Sequence, residues 1–290
     1  MKYKQSLYLG IIFLILAELF FTSIAVIVKW LSVDLPNEII VFFSRFFVMM
    51  ILLPWILRQG ISKIRTQHFR FHLVRSLSGL GAMYCLFYAY ANMPLAEAIV
   101  IKMTMPFWLI IISFWWLKEA VSKKTGLAIV IGFLGILVIL KPGFVPMELV
   151  TLIILTGSFL MALVMSAIRR MAKTETSLQI IFYFTLISTI FSAVPLSWAW
   201  VTPTWQAWFL LILIGILSTI AQLFMTQAYQ RAPTAKIGPF TYVSVIFGTL
   251  YGWIFGDEMI DFWFLIGTGL IISAGLIITQ NHRATQKVKM

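Results

Sequence analysis

Ala89-Tyr90-Ala91-Asn92-Met93-Pro94 recurs as Ala228-Tyr229-Gln230-Arg231-Ala232-Pro233, and this echo decides how the rest of the chain is read. The two prolines, at 94 and 233, stand 139 positions apart. The same offset lays Leu117-Lys118-Glu119 on Gly256-Asp257-Glu258, and a glycine-rich apolar run follows each acidic turn. Two matches at one offset identify an internal repeat. The first copy is read as residues 1–142 and the second as 146–281, with a basic tail at 282–290.

The solvent for both copies is lipid. Hydrophobic residues make up 61% of the 290, charged residues only 11%, and mean hydropathy is +0.98, outside the range of soluble domains. A hydrocarbon core of roughly 30 Å takes about 20 apolar residues per helix. Apolar runs between charged or Pro/Gly punctuation predict ten spans: 7–29, 37–57, 73–92, 95–117, 125–140, 147–168, 178–200, 206–229, 234–255 and 262–280. The expected fold is therefore an all-α membrane protein of ten transmembrane helices. The run after Lys2 and Lys4 exceeds a signal h-region and lacks a cleavage site, so it reads as the first span.

Charge sets the expected orientation. With both termini cytoplasmic, the inner segments collect Arg58, Lys63, Arg65, Arg70, Lys118, Lys123, Lys124, Arg169, Arg170, Lys173 and Arg231 together with the basic ends, whereas the outer segments hold only Lys29 and Lys141. The formal charge of +12 is thereby explained by topology rather than by nucleic acid, which would need the basic residues gathered on one face. Five spans per copy is an odd number, so the second copy enters the membrane upside down. Inverted five-helix repeats of this kind build many secondary transporters. Trp30, Trp55, Trp198, Trp200, Trp205, Trp208 and Trp263 fall near span ends and are expected to anchor them at the headgroups.

Several motifs resemble the drug/metabolite transporter superfamily, and within it the EamA family, over nearly the whole chain. They are Phe42-Phe43-Ser44-Arg45-Phe46-Phe47 on span 2, Phe87-Tyr88-Ala89 leading into Met93-Pro94-Leu95-Ala96-Glu97-Ala98, Pro106, Lys118-Glu119, and Gly132-Phe133-Leu134-Gly135 leading to Lys141-Pro142. Pro239 departs from the pattern, since the proline expected later in span 9 is replaced near Val245. The resemblance implies a central cavity lined by spans 1–4 and 6–9, with spans 5 and 10 peripheral. It also implies a small-molecule cargo, the family including amino-acid exporters, riboflavin importers and S-adenosylmethionine carriers. The stretch from Arg75 through Pro106 is most similar to the last two.

Charges deep in a span cost about 2.5–3.5 kcal/mol on insertion scales, so they should face protein or water. Glu18 lies mid-span, with Thr22, Ala25 and Lys29 following on one face. Arg45 and Lys102 lie about 12 Å deep at 1.5 Å rise per residue. Pro106 deprives the Lys102 carbonyl of its helical partner. Glu18 and Lys102 form either a structural ion pair, with Arg45 as a third member, or a substrate or proton site. Thr219, Gln222, Thr226 and Tyr229 recur on one face of span 8, and Tyr84 and Tyr88 on one face of span 3. The candidate substrate-binding residues are therefore Glu18, Thr22, Arg45, Tyr84, Tyr88, Lys102, Gln222, Thr226 and the shallower Lys236. Arg75 and Lys236 also read as snorkelling cations near span ends, and Glu97 as a complement to a helix N-terminus.

The cations outnumber Glu18, which suits a cargo bearing a carboxylate or phosphate. No phosphate-binding loop, zinc motif or nucleophile turn is present in the sequence, so neither catalysis nor a resident cofactor or metal is expected. Gly248, Gly252 and Gly256 repeat every four residues and predict close packing within the chain more than a homodimer. The expectation is an inner-membrane carrier, monomeric or weakly dimeric, moving a small anionic or zwitterionic metabolite by proton coupling or exchange. Riboflavin or drug export, an intramembrane enzyme and an assembly factor are the alternatives.

Overall fold

The computed structural model describes residues 6–59, 66, 68–116, 123–140, 149–171, 174–232, 237–255 and 262–287. Every regular element among them is helical: α1 (Leu7–Leu31), α2 (Asn37–Gln59), α3 (Phe69–Asn92), α4 (Leu95–Lys102), α5 (Met105–Trp116), α6 (Lys123–Leu140), α7 (Leu149–Met171), α8 (Ser177–Ala193), α9 (Leu196–Ala199), α10 (Trp205–Arg231), a 3-10 turn (Gly238–Tyr242), α11 (Val243–Phe255) and α12 (Phe262–Lys287). Among the described residues, four stretches are long and apolar enough to cross a membrane on length and composition alone: Leu7–Leu31, Asn37–Pro54, Leu149–Met171 and Trp205–Arg231.

Local chemistry sets the ends. The Ser6 hydroxyl accepts the Leu9 N–H at 3.4 Å, and Thr204 accepts that of Ala207 at 3.3 Å. Thr176 and Gln179 form a reciprocal capping box at the start of α8. The repeated Ala-Tyr motif ends its helix in the same way twice. Met93 and Ala232, each preceding a proline in sequence, are extended, and each returns its N–H to the alanine carbonyl four residues back at 3.1 Å. The bulk of a following proline ring forces that extended conformation.

Prolines also split two predicted spans. The span expected at 95–117 breaks at Met103-Thr104, just before Pro106, giving α4 and α5. The 178–200 span stops at Ala193, and the short α9 starts after Pro195. In the second half the 3-10 turn, with Pro239 near its start, passes into α11 between Tyr242 and Val243. That point is the counterpart of the Met103-Thr104 break at the repeat offset. α12 continues into the predicted tail as far as Lys287, because residues 280–287 contain neither proline nor glycine and include several good helix formers.

Helix partners are exchanged between the halves. α1 packs on α10 as α7 packs on α3, α2 on α10 as α8 on α3, and α11 on α1 as α5 on α7. α2 against α8 and α6 against α12 are the self-matched pairs. Swapping the halves maps these pairings onto one another, the signature of a pseudo-two-fold relation. α6 and α12 lie together at the periphery, and the remaining long helices surround the centre.

Small residues permit this packing. A Cβ on Gly248 would lie 2.4 Å from Ile99 Cδ1, so α11 meets α4 through a glycine within the chain; Gly256 lies outside the described residues. Trp30, Trp198, Trp200, Trp205 and Trp263 are exposed at helix ends. Trp208 is different from the expected anchor: it is partly buried, edge-on to Phe43 with ring centres 4.7 Å apart. Its position one turn inside α10 turns the indole toward α2 instead of the surface.

Candidate functional site

A cavity of about 940 Å³, including its open mouth, lies among α1, α2, α3, α4, α5, α7, α8 and α10. Its walls come from both halves. Described residues of α6, α11 and α12 do not line it. The peripheral place expected for spans 5 and 10 is thus observed, whereas the contribution expected from span 9 is not seen among the described residues.

The charged groups form two separate arrangements. Lys102 Nζ donates to Glu18 Oε2 at 3.3 Å, and both residues are buried at the cavity wall. Lys102 ends α4, where the negative end of the helix dipole favours an ammonium. The helix ends here at the Met103-Thr104 break that precedes Pro106. Two tyrosines stand at the same wall, Tyr90 and Tyr229, which are the paired tyrosines of the repeated motif.

The second arrangement is built on Phe184. The Arg75 guanidinium lies 3.8 Å from that ring's centre and the Arg45 guanidinium 5.3 Å from it, within cation–π range. Arg75 Nη2 donates to Gln222 Oε1 at 2.9 Å. Arg45 Nε donates to Ser44 Oγ at 3.4 Å. Arg45 Nη1 and Arg75 Nε have no hydrogen-bond partner among the described residues. Gly79 lets Phe184 approach α3 this closely, since a Cβ there would lie 2.7 Å from the ring.

Arg75 corrects the snorkelling expectation, being 1% exposed. α3 begins at Phe69 rather than at 73, which sets Arg75 six residues, about 9 Å, along the helix. Of the other candidates, Glu18, Arg45, Lys102 and Gln222 line the cavity together. Thr22 is buried but spends its hydroxyl on the Glu18 carbonyl at 2.8 Å. Tyr84, Thr226 and the exposed Tyr88 are not among the lining residues: the face of α3 toward the cavity carries Arg75, Gly79, Met83, Leu86, Phe87 and Tyr90, and that of α10 carries Ser218, Gln222, Met225 and Tyr229. Lys236 lies outside the described residues.

Sequence reasoning also passed over the methionines. Met83, Met103, Met105, Met161, Met165 and Met225 come from four helices and a break to form much of the wall. Apart from Met161 and Met165, four residues apart on α7, no helical period links them, since they converge only in three dimensions. Thioether side chains reshape readily around differing surfaces.

A family model for "EamA-like transporter family" matches residues 8–141 and 149–280. The pseudopaline exporter CntI of Pseudomonas aeruginosa is 29% identical over 277 residues, covering 94% of this chain and 97% of that protein. A riboflavin transporter of Brucella anthropi is 26% identical, covering 92% and 97%. An S-adenosylmethionine uptake transporter of Rickettsia felis is 24% identical, covering 90% and 89%. A solved crystal structure shares the fold at a TM-score of 0.72 and 18% identity, covering 95% of this chain and 98% of that one. These relatives are small-molecule transporters, not enzymes. With apolar helices long enough to span a bilayer and both repeats matched, the chain is a multi-pass membrane protein that belongs to the EamA-like transporter family of drug/metabolite transporters.

Proposed function

We propose that the chain is a secondary active transporter carrying a small anionic or zwitterionic metabolite across the bacterial inner membrane by alternating access. The observation that carries this reading is a central cavity with walls drawn from both repeats, in which Glu18 is matched by Lys102 while Arg45 and Arg75 add positive charge. Ten spans, cytoplasmic termini and an inverted relation between residues 1–142 and 146–281 complete the reading; the loop charges support it. Glu18 is its proton-linked carboxylate. A proton on Glu18 dissolves the pair with Lys102 and frees the ammonium for the cargo, so proton and anionic cargo favour each other's binding at one wall of the cavity. The cargo is amino-acid-like or nucleoside-metabolite-like.

A flat heterocycle such as riboflavin is the second reading, favoured by Phe21, Phe87, Tyr90 and Tyr229 on the wall and by the riboflavin-transporting relatives. Both are tested by mass-spectrometric profiling of cells and medium from strains expressing the wild type or Lys102→Ala at matched membrane levels. One metabolite should shift between compartments with the wild type alone. Equal shifts with both proteins would remove Lys102 from the mechanism, and no shift with either would sink the carrier reading in that host.

A further inference from the structure

Arg45 and Arg75 are 3% and 1% exposed, yet no carboxylate reaches either among the described residues. The carboxylate at the cavity wall, Glu18, is held by Lys102. Two buried cations against one phenyl ring repel each other strongly, because little water screens them. The ring's negative face and the Gln222 and Ser44 oxygens offset part of this. Arg45 Nη1 and Arg75 Nε still lack partners among the described residues. Buried guanidinium donors normally have acceptors. What the site lacks is negative charge, roughly two units of it, offered as oxygen acceptors.

We propose that Arg45 and Arg75, set against Phe184, form a paired-guanidinium subsite for a dianionic cargo whose two negative charges are presented as carboxylate or phosphate oxygens. The fork of each guanidinium suits such oxygens better than an ammonium would. The body of the cargo lies along the methionine wall of Met83, Met161 and Met165, which takes aliphatic or ring carbon without demanding hydrogen bonds. This deepens the carrier reading and rests on its premise that the cavity is the cargo site. It selects among the classes that reading left open: a molecule with a net positive charge is a poor match, and one with two anionic groups is a good one.

The test uses the full-length protein purified in detergent, with three probes at matched ionic strength: glutarate, inorganic phosphate and monomethyl glutarate. The melting temperature of the wild type should rise with the concentration of glutarate, of phosphate or of both, and not with the singly charged ester. A response to glutarate alone identifies a dicarboxylate site, and a response to phosphate alone a phosphate site. Arg45→Gln and Arg75→Gln should each weaken the responding dianion by about tenfold or more, the loss expected for a charge-assisted hydrogen bond. If neither dianion has an effect, or the ester acts as strongly as glutarate, the subsite does not exist. The ester comparison needs only the wild type, so it decides even if a variant fails to fold. Metabolite movement without dianion binding would leave the carrier reading standing and overturn this one; dianion binding without any metabolite movement would do the reverse.

Discussion

At the scale of single residues, the Glu18–Lys102 pair makes the sharpest predictions. Removing one partner leaves a buried charge unmatched, which costs about 3–5 kcal/mol, while removing both together costs much less. Glu18→Gln and Lys102→Met should therefore each lower the melting temperature in detergent, and the double variant should recover most of the loss. Additive losses would show that the two side chains do not interact as placed. If Glu18 links cargo to protons, Glu18→Gln should also flatten the pH dependence of transport in proteoliposomes. Full transport by that variant with an unchanged pH profile would remove Glu18 from coupling. Glu18, Arg45 and Lys102 were legible in the sequence because a charge in an apolar run stands out. Arg75 was not, because its depth depended on where α3 starts, and element ends are poorly marked when a basic, partly polar stretch precedes the span.

At the scale of elements, the glycine contacts set how closely helices meet. Gly79→Ala places a methyl 2.7 Å from the Phe184 ring, so the ring must shift. Folding should survive while the arginine pair loses its platform. The expected outcome is a near-wild-type melting temperature with clearly slower transport; an unchanged transport rate would show that the position of Phe184 does not matter. Gly248→Leu differs, since Ile99 is buried and cannot move aside easily. Overpacking of this kind typically costs about 1–3 kcal/mol, read as a lower melting temperature without any change in cargo preference. The broken helix at Met103-Thr104 was foreseeable from Pro106. The stop after Ala193 was missed because the apolar run continues through Pro195, and hydropathy does not register a proline's lost N–H.

At the scale of the whole molecule, a polar cluster joins the halves at the end that the proposed orientation turns to the cytoplasm. Thr66 Oγ1 donates to Glu175 Oε1 at 2.5 Å, and His72 Nε2 lies 3.7 Å from Glu175 Oε2. Gln230 Nε2 donates to the Glu175 carbonyl at 3.2 Å, and Gln230 also bonds Ser177. Residues of the first half thus grip a loop of the second. Alternating access requires this end to part, so Glu175→Ala should favour its opening. In a Cys85→Ala background, Met165→Cys on the cavity wall should react faster with a membrane-impermeant maleimide from the cytoplasmic face of inverted vesicles when Glu175→Ala is added. An unchanged rate would mean that the cluster is not part of the closure.

The sequence by itself determined the lipid solvent, the helical class, the repeat and the family, because hydropathy, proline position and a fixed offset are properties of the chain read in order. It also placed Tyr90 and Tyr229 in equivalent positions, and the structure brings both to one cavity. Only the tertiary structure decided which face of each helix looks inward and which cations lack partners. Tyr88 and Tyr90 differ by two residues on α3, and a turn of about 100° per residue sends one to the exterior and the other to the cavity. Lys102 is matched and Arg75 unmatched because Glu18 sits on the helix that packs beside α4, whereas Phe184 and Gln222 come from α8 and α10 of the other half. The setting of Arg75 against Phe184 and Gln222 arises from the exchange of partners between repeats, a relation between residues far apart in sequence that no local pattern encodes.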